Sequence, residues 1–131
     1  MSIVKAYNVI GIMSGTSMDG IDCSYLKTDG VSSIYIICES SYKYSLNYRN
    51  KLEKIIKDVK LVNKKEIHKY VKKNEQFVTN NFSKIINKFI KDNNIKKKCV
   101  DYIGFSGQTI LHDPKNHISI QLGSCKNIKK K

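Results

Sequence analysis

The residues best suited to chemistry sit in one short stretch, Ser14-Gly15-Thr16-Ser17-Met18-Asp19-Gly20, followed by Ile21 and Asp22. It places hydroxyls and two glycines around a carboxylate. Gly15 and Gly20 permit a tight turn and close approach of the backbone to a ligand. Successive backbone N–H groups in such a turn can cradle phosphate oxygens, and the Thr16 and Ser17 hydroxyls add donors. Asp19 and Asp22 would repel a bare phosphate, but they suit one accompanied by Mg2+ held through water. The same composition also serves an ordinary hairpin loop, because Gly, Ser, Thr and Asp are common turn formers.

A second stretch, Gly104 to Pro114, contains Ser106, Gln108, Thr109 and His112. It reads as a strand end running into a polar loop, and ligands gather at strand ends in α/β sheets. Gln108 offers sugar hydroxyls both a donor and an acceptor. A plain polar loop, with His112 as a turn residue, explains the same residues. His68 and His117 have no nearby carboxylate or cysteine pattern and read as surface residues. Cys23, Cys38, Cys99 and Cys125 show no metal-knuckle or redox spacing. They read as buried, reduced thiols.

The elements that must position these residues follow from periodicity. Tyr7 to Met13 is apolar and β-branched, a buried strand. Ile21 to Lys27 and Ser33 to Tyr44 read as the next two strands, the second set off by the turn former Thr28-Asp29-Gly30. Tight connections predict an antiparallel meander. Leu52, Ile55, Ile56 and Val59 then fall on one helical face. After a break near Asn63, a longer stripe runs from Ile67 to Phe89, with a bend at Asn80-Asn81 and a stop at Asp92-Asn93-Asn94. Val100 to Phe105 and Ile118 to Leu122 read as strands. Ser124 to Lys131 reads as a polar tail without a core role.

The chain has 131 residues, one ordinary domain, with 40% hydrophobic residues, enough for a small core. No apolar run approaches the roughly 20 residues that span a bilayer, and no cleavable leader pattern follows the short run at Val9 to Met13. A soluble, cytoplasmic protein is expected. The net charge of +13 invites a nucleic-acid reading. Yet Arg49 is the lone arginine, and base and phosphate recognition leans on arginine. Lys, Ile and Asn make up 54 residues and share A- and T-rich codons, so codon bias supplies surface lysine without a nucleic-acid partner. The charge is also uneven: residues 1–40 are net −2 and residues 41–100 net +12.

Three strands around a phosphate-type loop, then helices, then further strands have the order of an α/β, actin-like (ribonuclease H-like) ATPase half-domain. The run Ile10-Gly11-Ile12-Met13-Ser14-Gly15-Thr16-Ser17-Met18-Asp19-Gly20-Ile21-Asp22 resembles the start of the anhydro-N-acetylmuramic acid kinase family. Gly104 to Pro114 and Ile120-Gln121-Leu122-Gly123 follow in that family's order, and the resemblance covers residues 7–123. It implies a kinase of peptidoglycan turnover. Water opens the 1,6-anhydro ring of anhydro-N-acetylmuramic acid, and the released O6 is phosphorylated from ATP with Mg2+. By position, Gly15, Thr16, Ser17, Met18, Asp19, Gly20, Ile21 and Asp22 form the ATP-phosphate segment, with Asp19 toward the metal. Gln108, Thr109 and His112 lie on the sugar side.

The chain departs from that family in three ways. Ser106 stands where the family usually has histidine, and Ser124 follows Gly123 where aspartate is usual. Family chains also run much longer, and their catalytic base and adenosine contacts come beyond the point matched by residue 131. The resemblance therefore implies an N-terminal lobe at residues 1–123, a Lys-rich tail at 124–131 and no C-terminal lobe or catalytic residue. A truncated copy with little activity alone is expected. The alternatives are one subunit of a split kinase, completed by a separately encoded C-terminal half, and a basic nucleic-acid-binding protein.

Overall fold

The computed structural model describes residues 5–129. Three strands come first, β1 (Tyr7–Ser14), β2 (Gly20–Thr28) and β3 (Ile34–Lys43). They form the expected antiparallel meander, with Ile12 opposite Cys23 and Gly20 opposite Lys43. Two helices follow, α1 (Leu46–Val59) and α2 (Ile67–Asp92), and then β4 (Tyr102–Phe105). β4 returns parallel to β1, pairing Ile12 with Phe105, so the sheet order is β3-β2-β1-β4. Parallel pairing needs a long crossover, which the two helices provide. β5 (Gln108–Asp113) and β6 (Ile118–Leu122) make a separate antiparallel pair, and a short helix, α3, spans Cys125–Lys129.

Alternation along the strands sets which face is covered. Ile10 and Ile12 of β1 and Ile21 and Cys23 of β2 are buried. They share one core with Leu52, Ile55 and Val59 of α1 and with Val78, Phe82, Ile86 and Phe89 of α2. The Phe82 ring meets Phe105 edge-on at 4.7 Å, which fixes α2 against the end of β4. Gly11, Met13, Asp22 and Ser24 point to the other, open face, where they line a shallow depression with Gly104 and Ser106. The outer strand β3 leaves Ile34, Tyr35, Ile36 and Ile37 all exposed. A register shift between Tyr25 and Leu26 skips Ile37 in the pairing there.

Local chemistry accounts for several departures from the periodicity. α1 starts well before its apolar stripe because the Ser45 side chain accepts from the Tyr48 amide at 3.2 Å and caps it. α2 runs unbroken through Asn80-Asn81, where a bend was expected. Gln76 Nε2 donates to Asn80 Oδ1 one turn away, 2.6 Å, so that side chain reinforces the helix instead of competing with its backbone. The polar loop expected after Gly107 is the strand β5.

Two further expectations are corrected. The segment after Gly123 is not a tail without a core role: α3 carries Ile128, 8% exposed, into the core beside α2. Lys130 and Lys131 of that expected tail lie outside the described residues. Cys23 is buried, but Cys99 and Cys125 are exposed and Cys38 is half-buried, so the uniform burial expected of the thiols does not hold. No helix among the described residues is long and apolar enough to cross a membrane.

Candidate functional site at the ends of β1 and β4

Because β1 and β4 are parallel, the turns that leave them open at the same end of the sheet. Residues 15–19 leave β1, and Ser106-Gly107 leave β4. Ser14 Oγ donates to the Gly107 carbonyl at 3.1 Å and ties the two turns together. Gly107 is at φ +74, and a Cβ there would lie 2.6 Å from the Leu122 carbonyl oxygen. The tight reversal from β4 into β5 therefore depends on glycine at this point.

The first turn is held from three directions. The Met18 amide donates to the Gly15 carbonyl at 3.4 Å, and Met18 rather than a glycine takes the left-handed conformation, φ 54. Ser17 Oγ donates to Asp19 Oδ1 at 2.6 Å. The Tyr44 amide donates to the Asp19 carbonyl at 2.8 Å. Gly20 passes so close to the Tyr42 carbonyl that a side chain has no room there.

Asp19 is exposed, and its carboxyl is held below the usual range, first by the Ser17 hydroxyl, then by its own amide and by the Arg49 charge. It is ionised at neutral pH. Thr16 and Ser17 are exposed beside it. Ile21 points the other way and is buried in the core, an anchor for the turn. Asp22 lies on the open face, where Ser41 Oγ donates to it at 2.6 Å, in the depression that also contains Ser106. No three His, Cys, Asp or Glu side chains among the described residues converge on a metal position. An exposed, ionised Asp19 instead fits a Mg2+ ion that keeps most of its waters and takes one carboxylate.

The second group of residues is only partly gathered. Gln108 is 1% exposed. Its Oε1 accepts from the Tyr44 hydroxyl at 3.1 Å, and its Nε2 donates to the Thr109 carbonyl at 3.2 Å. Thr109 is half-buried next to it, while His112 is exposed further along β5. At about 3.3 Å per residue, His112 lies roughly 13 Å from Gln108 along the strand. His68 and His117 are exposed, as expected.

Sequence reasoning placed Ser14 in the turn without a role of its own and missed Tyr44, which reads as the last residue of a strand. Only the parallel return of β4 brings Gly107 to Ser14 and Gln108 to Tyr44. Tyr44 is half-buried, and burial pushes its phenol up to about 12, with the Ser14 hydroxyl opposing the shift. The phenol is therefore a neutral donor at physiological pH.

A turn of amides, hydroxyls and one ionised carboxylate, bonded to a second turn at the carboxyl ends of parallel strands, is the kind of place where α/β folds gather ligands. The comparisons with known proteins are specific. The profile of the anhydro-N-acetylmuramic acid kinase family matches residues 7–131. Curated anhydro-N-acetylmuramic acid kinases are similar to this chain, among them one from Brucella suis, 34% identical over 115 residues, and one from Pelagibacter ubique, 36% identical over 126 residues. These cover 87% and 91% of this chain respectively, and 31% of each relative. One from Bradyrhizobium diazoefficiens is 30% identical over 116 residues. The chain belongs to the anhydro-N-acetylmuramic acid kinase family and spans about a third of the length of the relatives it matches.

Proposed function

We propose that this chain is the phosphate-binding lobe of an ATP-dependent kinase acting on 1,6-anhydro-N-acetylmuramic acid, with an actin-like fold. One observation carries the reading. Within a chain of this family, the turn after β1 and the turn after β4 are bonded through Ser14 and Gly107 at one end of the sheet. The strand order β3-β2-β1-β4 supports the actin-like assignment.

In the proposed reaction, the oxygen of water bonds to the anomeric carbon and the bond from that carbon to O6 breaks. O6 bonds to the γ-phosphorus as the bond to the β-phosphate oxygen breaks, leaving ADP. A base takes the proton of the attacking water. The segment Gly15 to Asp22 would surround the ATP phosphates, with Thr16 and Ser17 as donors and the turn braced from below by Ile21. Asp19 would hold Mg2+, with Asp22 near the same face. The ion supplies charge neutralisation at the phosphates. Thr109 and His112 would face the sugar, with Gln108 behind them. The base and the adenosine contacts would come from the portion of the family's length that this chain does not match. Without that portion the transition state lacks pre-organised partners, and turnover by this chain alone is expected to be negligible. The proposed reaction belongs to peptidoglycan turnover and would run in the cytoplasm.

The test is a coupled assay with Mg2+, ATP and the anhydro sugar. This chain is assayed alone and with the unmatched portion of the Pelagibacter ubique kinase supplied as a separate polypeptide. Turnover only in the mixture supports a lobe that can be completed in trans. A folded chain that gives no turnover in the mixture and shows no amide shifts with Mg2+ and a non-hydrolysable ATP analogue would sink the reading.

A further inference from the structure

Tyr44 touches both halves of the candidate site with different parts of itself. Its amide donates to the Asp19 carbonyl at 2.8 Å, and its hydroxyl donates to Gln108 Oε1 at 3.1 Å. Gln108 lies 64 residues away in sequence and is buried, so its acceptor has no water to replace that donor. One donor of the Gln108 side-chain amide goes to the Thr109 carbonyl at the start of β5. Ser14 closes the loop from the other side through Gly107. The ring itself is gripped: Tyr44 meets Tyr48 at 4.6 Å between centroids, and Tyr48 stacks on Phe77 at 4.7 Å. These contacts join Tyr44 to α1 and α2, so the ring that links the two turns also packs on the helical layer.

We infer that Tyr44 is a positioning residue that couples the Ser14–Gly20 turn to the Gln108–Thr109 segment, so that occupancy of one turn sets the geometry of the other. This deepens the reading above and rests on it only for the identity of the ligands. A nucleoside triphosphate that reshapes the turn around Asp19 would pull on the Tyr44 backbone. The displacement would be transmitted through the phenol to the strand that faces the second substrate.

The test uses the whole chain with Tyr44→Phe and, from the other end, Gln108→Met, which keeps the volume and removes the acceptor. Native-state amide hydrogen exchange is compared with that of Ile10 and Ile12, which report the core. Loss of one hydrogen bond predicts roughly five- to tenfold faster exchange, relative to those core amides, at both Gly15–Asp19 and Gly107–Thr109. In Gln108→Met the acceleration at Gly15–Asp19 is the decisive result, because the change lies about ninety residues away in sequence. Acceleration confined to the segment nearest each substitution overturns the coupling.

A second readout is the Gln108 side-chain amide resonance during titration with Mg2+ and a non-hydrolysable ATP analogue. It shifts in the wild type together with the Gly15–Asp22 amides, and in Tyr44→Phe it stays still while those amides still shift. If the Gly15–Asp22 amides never respond in the wild type, the nucleotide reading fails, and the exchange comparison alone decides the coupling. If they respond and the Gln108 side chain does not, the coupling is wrong while the nucleotide reading stands.

Discussion

The amide of Ser124 donates to the hydroxyl of Thr79 at 3.0 Å, joining the end of β6 to the middle of α2. Thr79 is fully buried and passes its own proton to the Glu75 carbonyl at 2.8 Å, so the hydroxyl is satisfied in both directions. This bond directs the chain after Gly123 back over the helix, where α3 seats Ile128. A polar-looking terminus is thereby part of the packed structure.

Ile128→Ala should cost about 2 kcal/mol, the low end for truncating a buried isoleucine, because the short helix can relax around the gap. Thr79→Val should cost about 1 kcal/mol by leaving the Ser124 amide without its acceptor. Urea unfolding followed by circular dichroism measures both. A neutral result for Ile128→Ala would mean that α3 is not packed in solution.

Gly20→Ala should destabilise by about 1–3 kcal/mol, since the new methyl meets the Tyr42 carbonyl at a point where the β2–β3 ladder cannot part without losing bonds. Gly30→Ala is the contrast. A Cβ there meets open space, and only the positive φ of +76 opposes it. The smaller loss, about 1 kcal/mol, should appear in the same unfolding series.

Asp19 gives a pH prediction. A carboxyl held low in the folded state contributes stability above its unfolded pKa, and that contribution is lost as pH falls through the folded value. Asp29, Asp92 and Asp113 are held low as well, chiefly by the Ser33 amide, the Lys88 ammonium and the Asn116 side chain respectively. Stability should therefore decline on acidification through the carboxylate range. Ser17→Ala should raise the Asp19 midpoint in a carbon-detected NMR titration and leave that of Asp92 in place, because Ser17 is the largest influence on Asp19.

The thiols should divide by environment. Cys99 and Cys125 are exposed, whereas burial, helped by the Asp22 charge, pushes Cys23 up to about 12. A disulfide exchange reagent at neutral pH should modify Cys99 and Cys125 quickly and Cys23 only on unfolding. Peptide mass mapping reads the order. Fast labelling of Cys23 in the folded protein would contradict the packing of β2 against the helices.

Much of the meander and both long helices were legible because their apolar residues repeat at the period of the element they form. Leu52, Ile55 and Val59 announce α1, and Ile10 and Ile12 announce the covered face of β1. What was not legible depends on partners distant in sequence. Ile128 stands alone among lysines, and no period marks it as core. Its burial needs Thr79 to turn the chain. Gln108 looked like an exposed ligand group because its type and its place after a strand fit that role, while the phenol that buries it lies 64 residues earlier. The turn at residues 15–19 was legible by composition. That Met18, and not a glycine, takes its left-handed bend was not.

The exposed Ile34–Ile37 edge of β3 makes the positive charge of this protein a colloidal device. Four consecutive apolar residues on a strand whose outer edge is unpaired among the described residues form a template for association between copies. At low ionic strength, a net charge of +13 keeps copies apart. Raising salt from about 0.1 M to 1 M shrinks the reach of that repulsion from about 10 Å to 3 Å. Salt, commonly added to disperse basic proteins, should therefore make this one self-associate through its outer strand.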